Sequence, residues 1–416
     1  MATPRARPRI RSRFAFWLGV IVAVGVVLRV LCTVLLAPWP PPTIRADQWF
    51  FHYEAIHLAH GRGFIDVLAA LHGRTMPTAT HPPLYPFVLA GLAKLGGTGE
   101  LTQRLAGSVF GMGTIAALGV LGRRVGGERV GLLAAGIAAI YPMLISADSA
   151  LESETLDGLL IALSLVAAYR LLDAPGIARA VCLGVLLGLA TLTRGEGLLL
   201  IPLLLWPVAR RREGRRATLI AVCAAVVVIA PWVVRNWVLL HEPVVSTDLQ
   251  TTIEGANCPT TYGSQIGSWN LACTEEGVPT VSVIRFAVRH IGRLPLVLAA
   301  RLALVWGLRG NGLTDGLPYL PGRSATEVGF GFAMYDLLVP LALYGFVLLR
   351  RRAVPVFVLM STFVLVTSTS LLFYGTARLR EPAELSLVVL AAVAVDQLVA
   401  RVASITAYRV HVVRGA

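Results

Sequence analysis

Four groups of ionisable residues stand where long apolar runs give out: Ile44-Arg45-Ala46-Asp47-Gln48-Trp49-Phe50; Asp148, Glu152, Glu154 and Asp157; Arg194-Gly195-Glu196; and Arg378-Leu379-Arg380-Glu381. Charge at a lipid boundary is expensive, so ionisable residues there are functional candidates by default. A carboxylate so placed can take a hydroxyl proton as general base, and arginines hold phosphate through charge-assisted, bidentate hydrogen bonds. The combination suits transfer of a group from a lipid phosphate. Each residue also has a plainer reading. Asp47 would cap a helix over 48–60. Glu154 is either a second acid that steers a substrate or part of a solvated turn, and Asp148, Glu152 and Asp157 make weaker claims of the same kind. Arg378 and Arg380, two positions apart, would reach one dianion or anchor a helix end among headgroups. Arg104 and Arg235 carry the same two readings, and Arg194 and Glu196 could simply pair with each other. His81, ahead of two prolines, invites reading as a metal ligand. It shares its loop with His52, His57, His60 and His72, whose spacing is not that of a zinc site, so no metal is assigned.

The elements that must position these groups follow from composition. The chain has 416 residues, 56% of them hydrophobic and 14% charged, with a mean hydropathy of +0.71. A soluble domain is roughly 45–50% apolar and 25% charged. Continuous apolar runs of about 18 or more residues match helices crossing a hydrocarbon core, and their lack of alternation excludes a barrel. The net charge of +14 comes from short arginine clusters between the runs. That is the positive-inside pattern rather than a nucleic-acid surface. Arg5, Arg7, Arg9, Arg11 and Arg13 put the start inside, and the run after Phe14 is too long for a cleaved signal.

Threading predicts about ten membrane helices, with ten to twelve allowed, over 14–36, 102–121, 130–145, 155–172, 177–193, 197–209, 217–234, 335–349, 354–373 and 383–400. Basic tails cover 1–13 and 401–416. Two large outer loops, 37–101 and 235–334, carry interfacial helices over 47–60, 84–95 and 284–308. All four polar groups then fall on the outer face. Cys32, Cys182 and Cys223 lie in apolar runs as small hydrophobes. Cys258 and Cys273 bracket a polar stretch of the second outer loop, where a disulfide would stabilise by about 3 kcal/mol in the chain-entropy picture.

The first outer loop, RADQWFFHYEAIHLAHGRGF followed by His81-Pro82-Pro83-Leu84-Tyr85-Pro86, resembles the GT-C glycosyltransferases, in their protein-mannosyltransferase and aminoarabinose-transferase-like branch. Further landmarks come in the same order: Gln103-Arg104-Leu105-Ala106-Gly107, Ser153-Glu154-Thr155-Leu156, Leu192-Thr193-Arg194-Gly195-Glu196-Gly197, Pro231-Trp232-Val233-Val234-Arg235-Asn236 and Arg378-Leu379-Arg380-Glu381-Pro382. The resemblance covers about residues 14–400. It implies an outer-face enzyme that takes a sugar from a polyprenyl-phosphate donor, with the donor's tail in membrane lipid, and passes it to an extracytoplasmic acceptor. It also implies that Asp47 is the catalytic acid. Protein mannosyltransferases usually have two adjacent acids there, whereas this chain has Gln48, which shifts the expected acceptor from protein to lipid or glycan. The related oligosaccharyltransferases hold a divalent ion with paired acids; no Asp-x-Asp occurs here, so neither metal nor diffusible cofactor is expected. The rival from another class is a transporter of a lipid-linked or anionic solute. Transporters place charges near mid-membrane, and only Arg29 lies deep in an apolar run.

Overall fold

In the computed structural model, which describes residues 9–36, 47–274, 280–308 and 322–415, the chain is helical, without strands among the described residues and with one isolated bridge between Ile65 and Pro77. Among the described residues, six helices are long and apolar enough to cross a bilayer: Arg13–Leu35, Glu100–Gly126, Glu154–Asp173, Gly214–Leu240, Ala325–Arg351 and Ala377–Ser404. A seventh candidate is the pair Glu128–Ile140 and Pro142–Ser149, bent by 55°. The expected ten is not established, because Ile177–Thr193, Gly197–Ala209 and Phe357–Leu372 fall short of the about 20 residues that a perpendicular span needs. Leu84–Lys94, expected in the first large loop, packs on Asp47–Ala59.

The bend has a local cause, and it decides what Arg29 does. Pro142 has no N–H to offer the carbonyl one turn back, so the helix breaks at Tyr141 and leaves carbonyls unsatisfied in an apolar setting. Arg29, fully buried, supplies the missing donors: Nη2 donates to Ala138 O at 3.1 Å and Nη1 to Ala139 O at 3.2 Å. Its Nε pairs with Asp148 at 2.5 Å, and Thr155 Oγ1 donates to the other oxygen of that carboxylate at 2.5 Å. Gly107 and Gly111 let this bent segment lie against Glu100–Gly126; a Cβ at either position would collide with Asp148. The one deep charge of the sequence is thus a brace that fixes where the chain re-emerges at Glu152 and Glu154. Asp148, a weaker site candidate, is spent in this brace.

Glu154–Asp173 is the most enclosed of the long spans, with 83% of its apolar window buried, so its first residue lies near the bundle axis. The last helix, Glu381–Gly415, runs on through the segment expected as a basic tail, and its residues 387–394 are buried on every side. Such all-round burial marks an interior helix. Ala325–Arg351 begins ten residues ahead of the expected start at 335. Its polar first turn hid it, yet Glu327 is buried there, at the helix end that favours negative charge.

The region 235–334 is also more divided than expected. The predicted helix over 284–308 is two helices, Thr280–Arg289 and Leu294–Val305, separated by a turn at Ile291–Arg293. Gly292 and Pro295 at the break account for it. Cys258 and Cys273 are joined as a disulfide, S–S 2.08 Å. Arg301, buried, ties this loop to the bundle by donating to Ala256 O, Asn257 Oδ1 and Leu371 O at 3.1, 3.2 and 2.9 Å.

Candidate active site

Asp47 opens the helix Asp47–Ala59, where the positive end of the helix dipole favours its charge. Its carboxylate does not act as a lone cap: Oδ2 pairs with Arg378 Nη2 at 2.7 Å. Arg378 reaches this point from the short 3₁₀ turn Ala377–Arg380, which Thr376 caps. Arg378 Nε faces Glu152 Oε2 at 3.3 Å and is in direct contact with Glu154 Oε1. Glu154 in turn pairs with Arg194 Nη1 at 2.9 Å, and Arg194 Nε with Glu196 at 2.6 Å, so both readings of Arg194 hold together. All four polar groups singled out in the sequence therefore meet around Arg378, the Arg194 group through Glu154. The first of them contributes Asp47 and Gln48, while Ile44-Arg45-Ala46 lies outside the described residues.

Three residues at this site were not singled out from sequence. Arg323 lies between Glu152 Oε2 and Glu381 Oε2, at 3.8 and 3.6 Å. It is brought there by Gly322, whose φ of +69° and contact with Gln48 and Ala150 leave no room for a Cβ. The dipeptide Pro321-Gly322 just ahead of a helix is the signal that could have found it. Glu54, about two helical turns past Asp47, pairs with His81 Nδ1 at 3.5 Å. Asp248 comes near as well, because Thr247 N donates to Ala79 O at 2.9 Å and Ser246 Oγ to Thr80 O at 2.5 Å, next to His81.

The other expected residues lie elsewhere. Arg380 is fully buried, its Nε on Glu384 at 2.7 Å and its guanidinium 3.5 Å from the Tyr335 ring centre. A 3₁₀ turn repeats every three residues, so positions i and i+2 point to different sides, and Arg380 does not share an anion with Arg378. Arg104 donates to Ser149 O and Thr33 O at 3.0 and 3.1 Å, bracing helices below the cluster. Arg235 stacks over Trp232 and donates to Thr78 O at 2.6 Å and Phe64 O at 3.1 Å, which secures the segment 64–78. Asp157 shares with Glu154, Arg194, Glu196, Arg378 and Glu381 a cavity of only about 10 Å³. That is room for about one water, so this cavity is the floor of the site; the open side is at Asp47, whose side chain is 38% exposed.

Charge balance sets the protonation states. Burial works to raise the Asp47 carboxyl, but Arg378 and then His81 outweigh it and hold it below its ordinary value, so it is ionised at neutral pH. Glu152 is fully buried, and burial, helped by Glu154 and Asp47, pushes it up to about 8 against the pull of Arg378 and Arg323. It holds a proton at neutral pH, while its Oε1 accepts from Gln48 Nε2 at 2.8 Å. Burial would lower the His81 imidazole, but Glu54, and after it Asp47 and Asp248, bring it to about 9. Because that value exceeds the ordinary 6.5, the imidazolium's stabilisation is complete below pH 6.5 and is lost as pH rises through about 9. Glu152 acts in the same direction over 4.5 to about 8. The midpoint of thermal unfolding in detergent should therefore fall between pH 6.5 and 9, and His81→Gln should flatten that slope; an unchanged slope would refute the pairing.

Known proteins complete the picture. The profile of the dolichyl-phosphate-mannose-protein mannosyltransferase family matches residues 80–235. The archaeal oligosaccharyltransferase AglB from Archaeoglobus fulgidus, solved with an inhibitory peptide and a dolichol-phosphate, superposes with a TM-score of 0.56 and 16% identity, over 95% of this chain and 52% of that one. The same organism's oligosaccharyltransferase tethered to an acceptor peptide containing the NVT sequon gives 0.56 and 15%, over 93% and 50%. The chain thus spans about half the length of these enzymes. ArnT from Cupriavidus metallidurans bound to undecaprenyl phosphate aligns with a TM-score of 0.42 and 18% identity, over 91% of this chain and 77% of that one, a likeness too loose to argue from. No curated protein is similar enough to this sequence to match it. The chain thus carries the signature of this mannosyltransferase family over residues 80–235 and shares its helical membrane fold with the archaeal oligosaccharyltransferase.

Proposed function

We propose that the protein transfers a sugar from a polyprenyl-phosphate donor to an extracytoplasmic acceptor with inversion of configuration, using Asp47 as general base and Arg378 to hold the phosphate. The observation that carries this reading is the 2.7 Å pair between Asp47 and Arg378, which joins the start of the first outer loop to the last outer turn. The acceptor hydroxyl gives its proton to Asp47 as its oxygen bonds to the anomeric carbon. The bond from that carbon to the phosphate oxygen breaks on the opposite face, and its electron pair leaves on polyprenyl phosphate. Arg378 suits the leaving group, since its Nη1 has no partner among the described residues while Nη2 and Nε keep the guanidinium fixed. As phosphate shares the guanidinium, its hold on Asp47 weakens and the carboxylate becomes a better base when the proton must move.

The positive-inside arrangement supports an outer-face site, and Gln48 supports a lipid or glycan acceptor rather than protein. A carboxylate at 48 would face Glu152, whereas the amide donates to it. A direct test is the purified chain in proteoliposomes with polyprenyl-phosphate hexoses and pentoses and extracted envelope lipids, following release of free polyprenyl phosphate. Release no faster than from the Asp47→Asn protein, for every sugar, would sink the assignment.

A further inference from the structure

The helix Thr280–Arg289 does not face the cluster around Arg378, and its side chains sort into three directions. Val283, Phe286 and Ala287 turn toward the protein, with Phe286 edge-on to Tyr262 at 5.2 Å. Val281, Ile284, Val288 and, just beyond, Ile291 form a stripe in which every residue is more than half exposed. At about 100° per residue this stripe lies roughly a third of a turn from the protein-facing side. Arg285 and Arg289 occupy the remaining third, exposed, and Arg293 comes after them past the turn. Between the protein side and the apolar stripe runs a groove of about 240 Å³, bordered by Ile253, Val283, Ile284, Ala287, Ile291 and Leu294.

The next helix in the chain sets the height of this one. Leu294–Val305 packs on the apolar helix Phe357–Leu372, and Trp306 stacks on Phe363 within it, ring centres 5.7 Å apart. Thr280–Arg289 is joined to that apolar pair by a three-residue turn, which holds it beside them. One side on protein, one apolar side open and one cationic side is the arrangement of a helix lying in the interface plane, with hydrocarbon on the apolar face and headgroups on the arginines.

We infer that this helix is a binding site for an anionic phospholipid of the surrounding bilayer, with an acyl chain in the groove and the phosphate headgroup on Arg285, Arg289 and Arg293. Charge complementarity selects the occupant: no carboxylate is paired with any of the three arginines among the described residues, and a zwitterionic lipid would leave their charge uncompensated. The site does not depend on the proposed sugar transfer, so its test reads lipid rather than turnover.

The full chain is placed in nanodiscs of equal parts phosphatidylcholine and phosphatidylglycerol and released into a native mass spectrometer, where the retained lipids are counted. Each arginine near an anionic surface is worth about 1 kcal/mol, or about fivefold in affinity. The Arg285→Gln/Arg289→Gln/Arg293→Gln protein should therefore lose about tenfold or more of its preference for phosphatidylglycerol and keep its phosphatidylcholine. Ile284→Ser/Val288→Ser, which keeps the charges, should shed both lipids. Unchanged preference in the arginine variant would overturn the inference. So would equal loss of both lipids in that variant, or a second chain held in each disc through this face.

Discussion

Asp47→Asn is expected to cut turnover by roughly 10²–10⁴-fold, the usual worth of a general base, with the protein still folded and still binding donor. The change keeps the side chain's shape and removes only its charge and basicity. The new amide retains an oxygen that can accept from Arg378 Nη2, and Arg378 keeps Glu152 and Glu154 as partners. Because Asp47 is 38% exposed, its ion pair adds little stability, of the order of a surface pair at about 0–1 kcal/mol. What stability it adds is present above the ordinary carboxyl value and is lost as pH falls, since its own value is depressed. Loss of turnover with unfolding midpoint and donor affinity near wild type is the expected pattern. The acid limb of the wild-type pH profile should vanish from the residual rate of the variant. Full turnover in the Asp47→Asn protein would remove Asp47 from the chemistry and leave the cluster as structure alone.

How much of this was visible in the sequence differs from residue to residue for physical reasons. Asp47, Glu154, Arg194, Glu196 and Arg378 are charges at the mouths of apolar runs, where burial is costly enough that the residue type alone flags them. Their meeting at one guanidinium is tertiary and arises from packing that no local pattern encodes. Arg380 has the same composition signal as Arg378, and only the pitch of the 3₁₀ turn separates them. Arg323 was hidden because its partners, Glu152 and Glu381, come from segments far off in sequence. The fold class was legible from hydropathy, whereas the count of spans was not, because Ile177–Thr193, Gly197–Ala209 and Phe357–Leu372 have lengths between those of buried and spanning helices. Proline accounts for the bend after Ile140, a position the sequence treated as mid-helix.

The largest effect on both stability and activity is expected at Arg378. Arg378→Gln removes the one cation among the described residues that touches Asp47, Glu152 and Glu154 together, and two of those carboxyls are almost wholly buried. Breaking a buried ion pair from one side costs about 3–5 kcal/mol, because the partner is left charged without compensation. Glu152, at about 8, already carries its proton at neutral pH, so the charges left without compensation are those of Glu154 and Asp47. Arg378→Lys restores the charge but not the planar fork that reaches two acids at once, so it should recover stability more than donor affinity. The decisive comparison is the double variant Arg378→Gln/Glu154→Gln. Removing both charges together should recover part of the unfolding midpoint lost in Arg378→Gln, since Arg194 and Glu196 still pair with each other. Donor binding, measured by competition with polyprenyl phosphate, should stay weak in the same protein, because nothing else among the described residues offers a fixed guanidinium beside Asp47. If the double variant regained both stability and donor binding, Arg378 would serve only to neutralise buried acids and the phosphate would have to be held elsewhere. Stability without donor binding instead separates the two duties of this arginine, one to the fold and one to the leaving group.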